Sequence, residues 1–430
     1  IVSALNPSGF DAQNNVPLVT HLHGGEVRSD SDGYPEAWYT NIGTRGMEYG
    51  TTQPTANNTA VFYYPNEQEP TTLWYHDHAL GVTRLNVMSG LAGFYLLRET
   101  NATLDPVAPL LPQGTYEVPL VIQDRTFKTN GEFWFDDVGL NLNVHPYWMP
   151  EFFGNTIMVN GLVWPYMNVD QGWYRLRFLD GSNARFYKLQ FVERGTKTII
   201  PFYQIGSDGG YLRAPVALTS LTIAPGERAD ILIDFSNLAP GTTILVRNTA
   251  KAPFPSGAAP DPQTVGQIMQ LRVTGNPGFQ QGVVLPSTLP LPLSPTLTGA
   301  FPNLPAPSNT RVLTLAEVMG ALGPLEVLLD GQKWHAPITE NPVNGATEEW
   351  IIVNPTADAH PIHLHLVQFQ VVSRQKFNVA KYTADWALAN NVMWPLMEAL
   401  MNPTQPTTLP LASYLQGTPK PAPPNEQGWK

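Results

Sequence analysis

The sequence predicts an all-β protein of more than one domain, assembled from antiparallel sandwiches or barrels. Three features lead there: a chain of 430 residues, a turn-rich composition, and repeated short runs of alternating polarity. One hydrophobic core rarely serves more than about 250–300 residues, so two or three domains are expected. The chain carries 42 Pro and 35 Gly but only 14% charged residues, against about 25% in ordinary proteins, which suits short strands joined by tight turns.

Tyr174-Arg175-Leu176-Arg177-Phe178 and Asp230-Ile231-Leu232-Ile233-Asp234-Phe235 alternate apolar and polar residues. Period two predicts half-buried strands, with one face on a core and one in water. Similar runs fall at 118–124, 156–169, 219–224, 242–248, 268–273 and 347–353, separated by turns such as Ala224-Pro225-Gly226 and Ala239-Pro240-Gly241. The Pro-rich stretch 276–309 reads as an interdomain linker, and Asn402 to Gln427 is Pro-rich as well. Residues 384–401 are the best helix candidate, with Met393, Met397 and Met401 four apart. A core-facing helix is the simpler reading of that stripe, although thioethers also suit copper(I).

With 24 Lys and Arg against 35 Asp and Glu, the net charge of -11 argues against a nucleic-acid surface and against an anionic membrane as partner. No run of apolar residues is long enough for a membrane span. The chain has no cysteine, which excludes disulfides, thiolate ligands and cysteine nucleophiles. Asn57 and Asn101 lie in N-x-Thr sequons, read as chance matches.

Seven of the nine histidines form three clusters: His21-Leu22-His23, His76-Asp77-His78, and His360-Pro361-Ile362-His363-Leu364-His365. On a strand, residues two apart share a face, so each His-x-His pair presents two imidazoles to one side of a sheet. Each cluster adjoins a strand-like run, with Leu366-Val367-Gln368-Phe369 following the third. Several buried imidazoles on like faces would each need a partner, and a metal cluster supplies one. An all-imidazole donor set suits copper or zinc better than magnesium or calcium. His145 and His335 stand alone and read as ordinary structural histidines.

The stretch His21-Leu22-His23-Gly24-Gly25 with Asp30-Ser31-Asp32-Gly33-Tyr34-Pro35-Glu36-Ala37-Trp38 resembles the first copper motif of the spore-coat laccases. Trp74-Tyr75-His76-Asp77-His78 and His360 to Leu366 resemble two more, in the family's order. Gln204 to Gly210, Ala224-Pro225-Gly226-Glu227-Arg228 and Pro424 to Lys430 add agreement, so the likeness to multicopper oxidases of the laccase and bilirubin oxidase kind runs from near residue 17 to residue 430. It implies three cupredoxin-like Greek-key domains: 1–103, 104–275, then the 276–309 linker, and 310–430. It also implies four coppers in a complete enzyme, O2 and a small reducing substrate as partners, and a spore-coat, secreted or periplasmic setting. By that resemblance His21 and His363 hold a type 2 copper, His23, His76, His78 and His365 ligate a type 3 pair, His360 serves a type 1 copper, and Asp32 is a possible proton relay.

The family's fourth motif places a cysteine among further histidines. Here there is no cysteine and no histidine after His365, so a type 1 site cannot be formed from these residues. The resemblance therefore implies a partial oxidase sequence, truncated at both ends. The alternative is a cysteine-free relative that binds copper or serves a structural role without catalysis. A metal-dependent hydrolase would need alternating strands and helices, which the pattern lacks.

Overall fold

The computed structural model describes residues 15–50, 58–135, 151–282, 285–320, 323–390 and 409–430. Its centre is a two-sheet sandwich. The larger sheet runs, in spatial order, Gly210–Leu218, Phe202–Ser207, Arg228–Asp234, Trp173–Asp180, Glu117–Phe127, Thr156–Val159 and Leu162–Val163, with Phe133–Trp134 paired to Glu117–Phe127. The smaller one runs Ile199–Ile200, Tyr187–Glu193, Thr243–Asn248, Gln267–Pro277 and Tyr166–Gln171, with Leu221–Ile223 beside Tyr187–Glu193. Between them Leu176, Phe178, Ile231 and Ile233 of one sheet pack on Tyr187, Phe191, Val246 and Leu271 of the other. The alternation read from the sequence supplies these inward positions.

The other face of the larger sheet does not lie in water as the alternation suggested. Every residue of Trp173–Asp180 is buried, polar ones included. Arg175 and Arg177 are 4% and 3% exposed. Arg175 Nε donates to Asp230 Oδ1 at 3.0 Å, and Arg177 Nε donates to Glu117 Oε1 at 2.7 Å. Period two reports which face is polar but not what covers it. Leu285, Leu289 and Leu293 of the Pro-rich 276–309 stretch cover part of this face, packing with Trp173, Ile205, Tyr211 and Leu232.

Another part is covered by a small antiparallel sheet, β1 (Thr20–His23), β2 (Thr72–Asp77) and β3 (Ala92–Leu96), in that spatial order. Arg177 Nη1 donates to Thr72 Oγ1 at 2.8 Å, tying β2 to the central sheet. Beyond β2 the chain forms a short helix, α1 (Thr83–Met88).

The last region holds three strands, Gly323–Leu329, Asn309–Gly320 and Glu348–Val353, packed on a helix, α2 (Val379–Ala389). Asn378 caps α2 by accepting the Lys381 N–H at 3.1 Å. The helix thus starts before the expected residue 384, because the cap and the buried Tyr382 and Trp386 set its phase. Met393, Met397 and Met401 lie outside the described residues. Within the second Pro-rich stretch, Leu415–Pro421 pairs with Ser373–Phe377.

Candidate metal centre

The antiparallel register of β1 and β2 sets His21 opposite His76 and His23 opposite Trp74. The His21 and His76 rings are 5.4 Å apart, and His78, one residue past β2, lies 5.1 Å from His21. The His78 N–H donates to the Val19 carbonyl at 2.8 Å, which continues the pairing.

The third cluster arrives differently. Residues 360–372 belong to no strand, contrary to the strand context read from the sequence, and Leu366 has φ +70°. Phe369 exchanges two backbone hydrogen bonds with Lys430, at 3.2 and 2.9 Å, and these fix the segment's exit. His363 nonetheless stacks on His23 with centroids 3.6 Å apart, and His365 stacks on His21 at 4.0 Å. Six imidazoles therefore meet at one place: His21, His23, His76, His78, His363 and His365.

Their outer hydrogen bonds fix which nitrogen faces inward. His21 Nδ1 donates to the Asp32 carbonyl at 2.6 Å, His76 Nδ1 to the Asp77 carbonyl at 2.8 Å, and His365 Nδ1 to Asp32 Oδ2 at 2.7 Å. Each then turns an Nε2 lone pair inward. His21 Nε2 faces His363 Nε2 at 3.3 Å, and His23 Nδ1 faces His76 Nε2 at 3.3 Å. His78 Nδ1 is buried with no hydrogen-bond partner. Two trios, His21/His363/His365 and His21/His23/His76, have ring nitrogens within 4.8 Å of one another. A metal ion satisfies such converging lone pairs, and neutral imidazoles are the form that binds one.

Electrostatics keep five of the six neutral. Burial pushes His21 down, and burial with neighbouring positive groups pushes His23 well below its ordinary value. Burial first and then nearby imidazoles lower His76 to about 3, His78 to about 4 and His363 to about 2. Asp32 is the acidic member. Burial raises its carboxyl, but hydrogen bonds from His21 and His365 outweigh that and hold it below the usual carboxylate range. Gly33, at φ +85°, lets the Asp32 loop lie on β1, since a Cβ there would overlap the Thr20 carbonyl.

His360 is not part of this group. Its Nε2 lies 2.9 Å from Thr356 Oγ1 and 4.0 Å from Glu317 Oε1. His335 is exposed, 4.0 Å from Glu36, and His145 lies outside the described residues. Sequence reasoning assigned no role to Asp77, Asn86 or Arg228. Asp77 Oδ1 accepts the Val19 N–H at 3.0 Å, and Oδ2 accepts from Ala79 N–H at 3.1 Å and Asn86 Nδ2 at 2.9 Å. That carboxylate fastens β1 to β2 between two histidines, and its place inside His76-Asp77-His78 was the signal available.

A family profile described as multicopper oxidase matches residues 305–400. A laccase of Bacillus stratosphericus is 41% identical over 383 residues, covering 87% of this chain and 69% of that protein. A laccase of Bacillus subtilis is 38% identical over 428 residues, covering 98% and 73%. Among solved structures, the McoA multicopper oxidase from the hyperthermophile Aquifex aeolicus superposes with a TM-score of 0.63 at 27% identity, over 83% of this chain and 71% of that one.

Proposed function

Since the chain belongs to the multicopper oxidase family and is a laccase-like oxidoreductase, we propose that its six converged imidazoles are the ligands it contributes to the three-copper site at which such enzymes reduce O2, the type 2 pair being the one complete ligand set among them. In this reading His21 and His363 hold a type 2 copper, while His23, His76, His78 and His365 belong to a type 3 pair. His360, set apart beside Thr356, is assigned to a type 1 copper. Copper, when bound, supplies one-electron chemistry between a reducing substrate and O2. We assign phenols and related aromatic reductants as the class of substrate that fits this laccase-like reading. The proposed domains 1–103 and 310–430 would then meet at the centre, with 104–275 as the sandwich behind it.

The residues themselves bind, orient and move protons. Asp32 Oδ2 holds the His365 ring, and the Asp32 carbonyl holds His21. Asp32 Oδ1, the carboxylate oxygen not held by His365 and 3.3 Å from His21 Nδ1, is the one we assign to pass on a proton. The observation that carries the reading is the contact of His21 Nε2 with His363 Nε2 at 3.3 Å, which joins residues 342 apart in sequence.

The type 1 site requires a thiolate, and these 430 residues contain none. Copper stoichiometry, visible absorption and electron paramagnetic resonance on the copper-reconstituted chain test the proposal. The expected outcome is bound copper, lost on His21→Ala or His363→Ala, without an intense blue thiolate band. Copper retained by both variants would sink the ligand assignment.

A further inference from the structure

Arg228 lies outside the ligand set and is 4% exposed. Its backbone N–H donates to Asp208 Oδ1 at 2.7 Å. Its guanidinium donates to Thr72 O at 2.9 Å, Gly226 O at 2.8 Å and Asp208 O at 3.0 Å. Thr72 opens β2, the strand of His76, and Gly24 directly follows His23. A Cβ on Gly24, which has φ +84°, would sit 2.7 Å from Arg228 Nη2, so a glycine here admits the guanidinium to the turn beside His23. Anchored on three carbonyls, the charge has no room to swing away.

Asp208 Oδ1 lies 3.2 Å from Arg228 Nη1, and Asp208 Oδ2 is 2.9 Å from Lys430 Nζ, which reaches Glu227 Oε1 at 3.2 Å. These four charges cancel in number but not in position. Gly226, whose carbonyl holds Arg228 Nη1, lies against the same ring: a Cβ there would sit 3.4 Å from His23 Cε1. The guanidinium is thus held between two glycine turns that border His23, and His23 stacks on His363 at 3.6 Å.

We infer that Arg228 is a fixed positive charge set against the stacked His23 and His363 rings, which favours copper(I) over copper(II) at that place and so raises its reduction potential. The inference rests on the copper-centre reading above. Reduction removes one unit of positive charge from the metal, so a nearby cation favours the reduced form, and protein interiors screen that interaction far less than water. Arginine suits the task because it stays protonated and its fork of donors locks its position. Arg228 acts through the centre without ligating it and is therefore a positioning residue.

The test measures copper(I) and copper(II) affinities of the 430-residue chain by competition with valence-specific chelators. In Arg228→Gln the affinity ratio is expected to move toward copper(II) by about tenfold or more, the scale of one unit charge acting across protein. Arg228→Lys should move the ratio less than Arg228→Gln does, since it keeps the charge but loses the fork that fixes its position. Asp208→Asn should move it the opposite way, toward copper(I), because the cation loses its counter-charge.

An unchanged ratio in Arg228→Gln overturns the inference. So does equal loss of both valences there, which would make Arg228 a packing residue. Should Arg228→Gln not fold, Asp208→Asn decides: a ratio unmoved or shifted toward copper(II) overturns the inference. If the unaltered chain binds no copper, the copper-centre reading falls and takes this inference with it. If it binds copper but the ratio stays flat, only the role of Arg228 falls.

Discussion

His21, His23 and His76 sit on paired strands whose register places His21 opposite His76, whereas His363 and His365 come from residues 360–372, which belong to no strand. The first group is held by a ladder and by Asp77, whose carboxylate accepts from Val19, Ala79 and Asn86. The second is held by the Asp32 hydrogen bond to His365, by ring stacking and by the Phe369–Lys430 pairing. Backbone pairing therefore builds one half of the centre, and side-chain contacts with that half position the other. The two halves should fail in different ways: the strand-borne half by loss of fold, the loop-borne half by loss of affinity.

His21 belongs to both trios of converging nitrogens, so its removal should strike hardest. His21→Ala is expected to weaken copper(II) binding well beyond the roughly 10–100-fold typical of losing an outer partner. Equilibrium competition would check this, and a loss below tenfold would mean that the halves bind independently. Next comes Asp77→Ala, which leaves three buried donors without an acceptor at about 1–3 kcal/mol each. Urea unfolding should show a loss of about 3 kcal/mol or more; a midpoint close to the original would remove Asp77 as the fastener of β1 to β2.

Asp32→Ala should separate the two modes of failure. Copper affinity is expected to fall about 10–100-fold while the urea midpoint changes little, the reverse of Asp77→Ala. If both variants shift stability alike, the distinction between the halves collapses.

The smallest effect concerns the strand region preceding the loop-borne histidines. Asp330 Oδ1 accepts the Thr314 N–H at 2.6 Å, and burial raises its carboxyl to about 6. The folded chain thus holds this proton more tightly than the unfolded chain does. The stabilisation is full below the unfolded value near 4 and is lost as pH rises through about 6. Asp330→Asn keeps an acceptor for Thr314 and cannot ionise, so it should stabilise the chain by about 1 kcal/mol at neutral pH and not at pH 3.5. Paired denaturation curves at the two pH values would show it, and equal curves would contradict the buried-carboxylate argument.

Much of this was legible in the chain. The alternating runs pointed to an all-β protein and the three histidine clusters to an imidazole metal site, and the likeness of those clusters to laccase copper motifs pointed to an oxidase. The strand context of His21 and His76 followed from pattern because ladder pairing is what such runs make. That of His363 and His365 did not, since local apolar residues such as Leu366 and Val367 suggest a strand only if another strand is there to pair with. Nor could alternation show that Arg175, Arg177 and Asp230 are buried, because a polar face is covered or exposed according to its tertiary neighbours. Arg228 lay in plain sight within Ala224 to Arg228, but its reach to Thr72 and Gly24 spans far-separated stretches and has no local signature.

The buried charges on the central sheet bear on how the molecule behaves in brine. Arg177 joins Glu117 and Thr72, and Arg175 joins Asp230, all shielded from solvent. Mobile ions weaken surface attractions over about 10 Å at 0.1 M salt but penetrate such a seam poorly. Surface pairs such as Lys128–Glu132 should slacken as salinity climbs, while the strands carrying His21 and His76 keep their footing. High ionic strength should therefore erode the periphery of this protein before its centre.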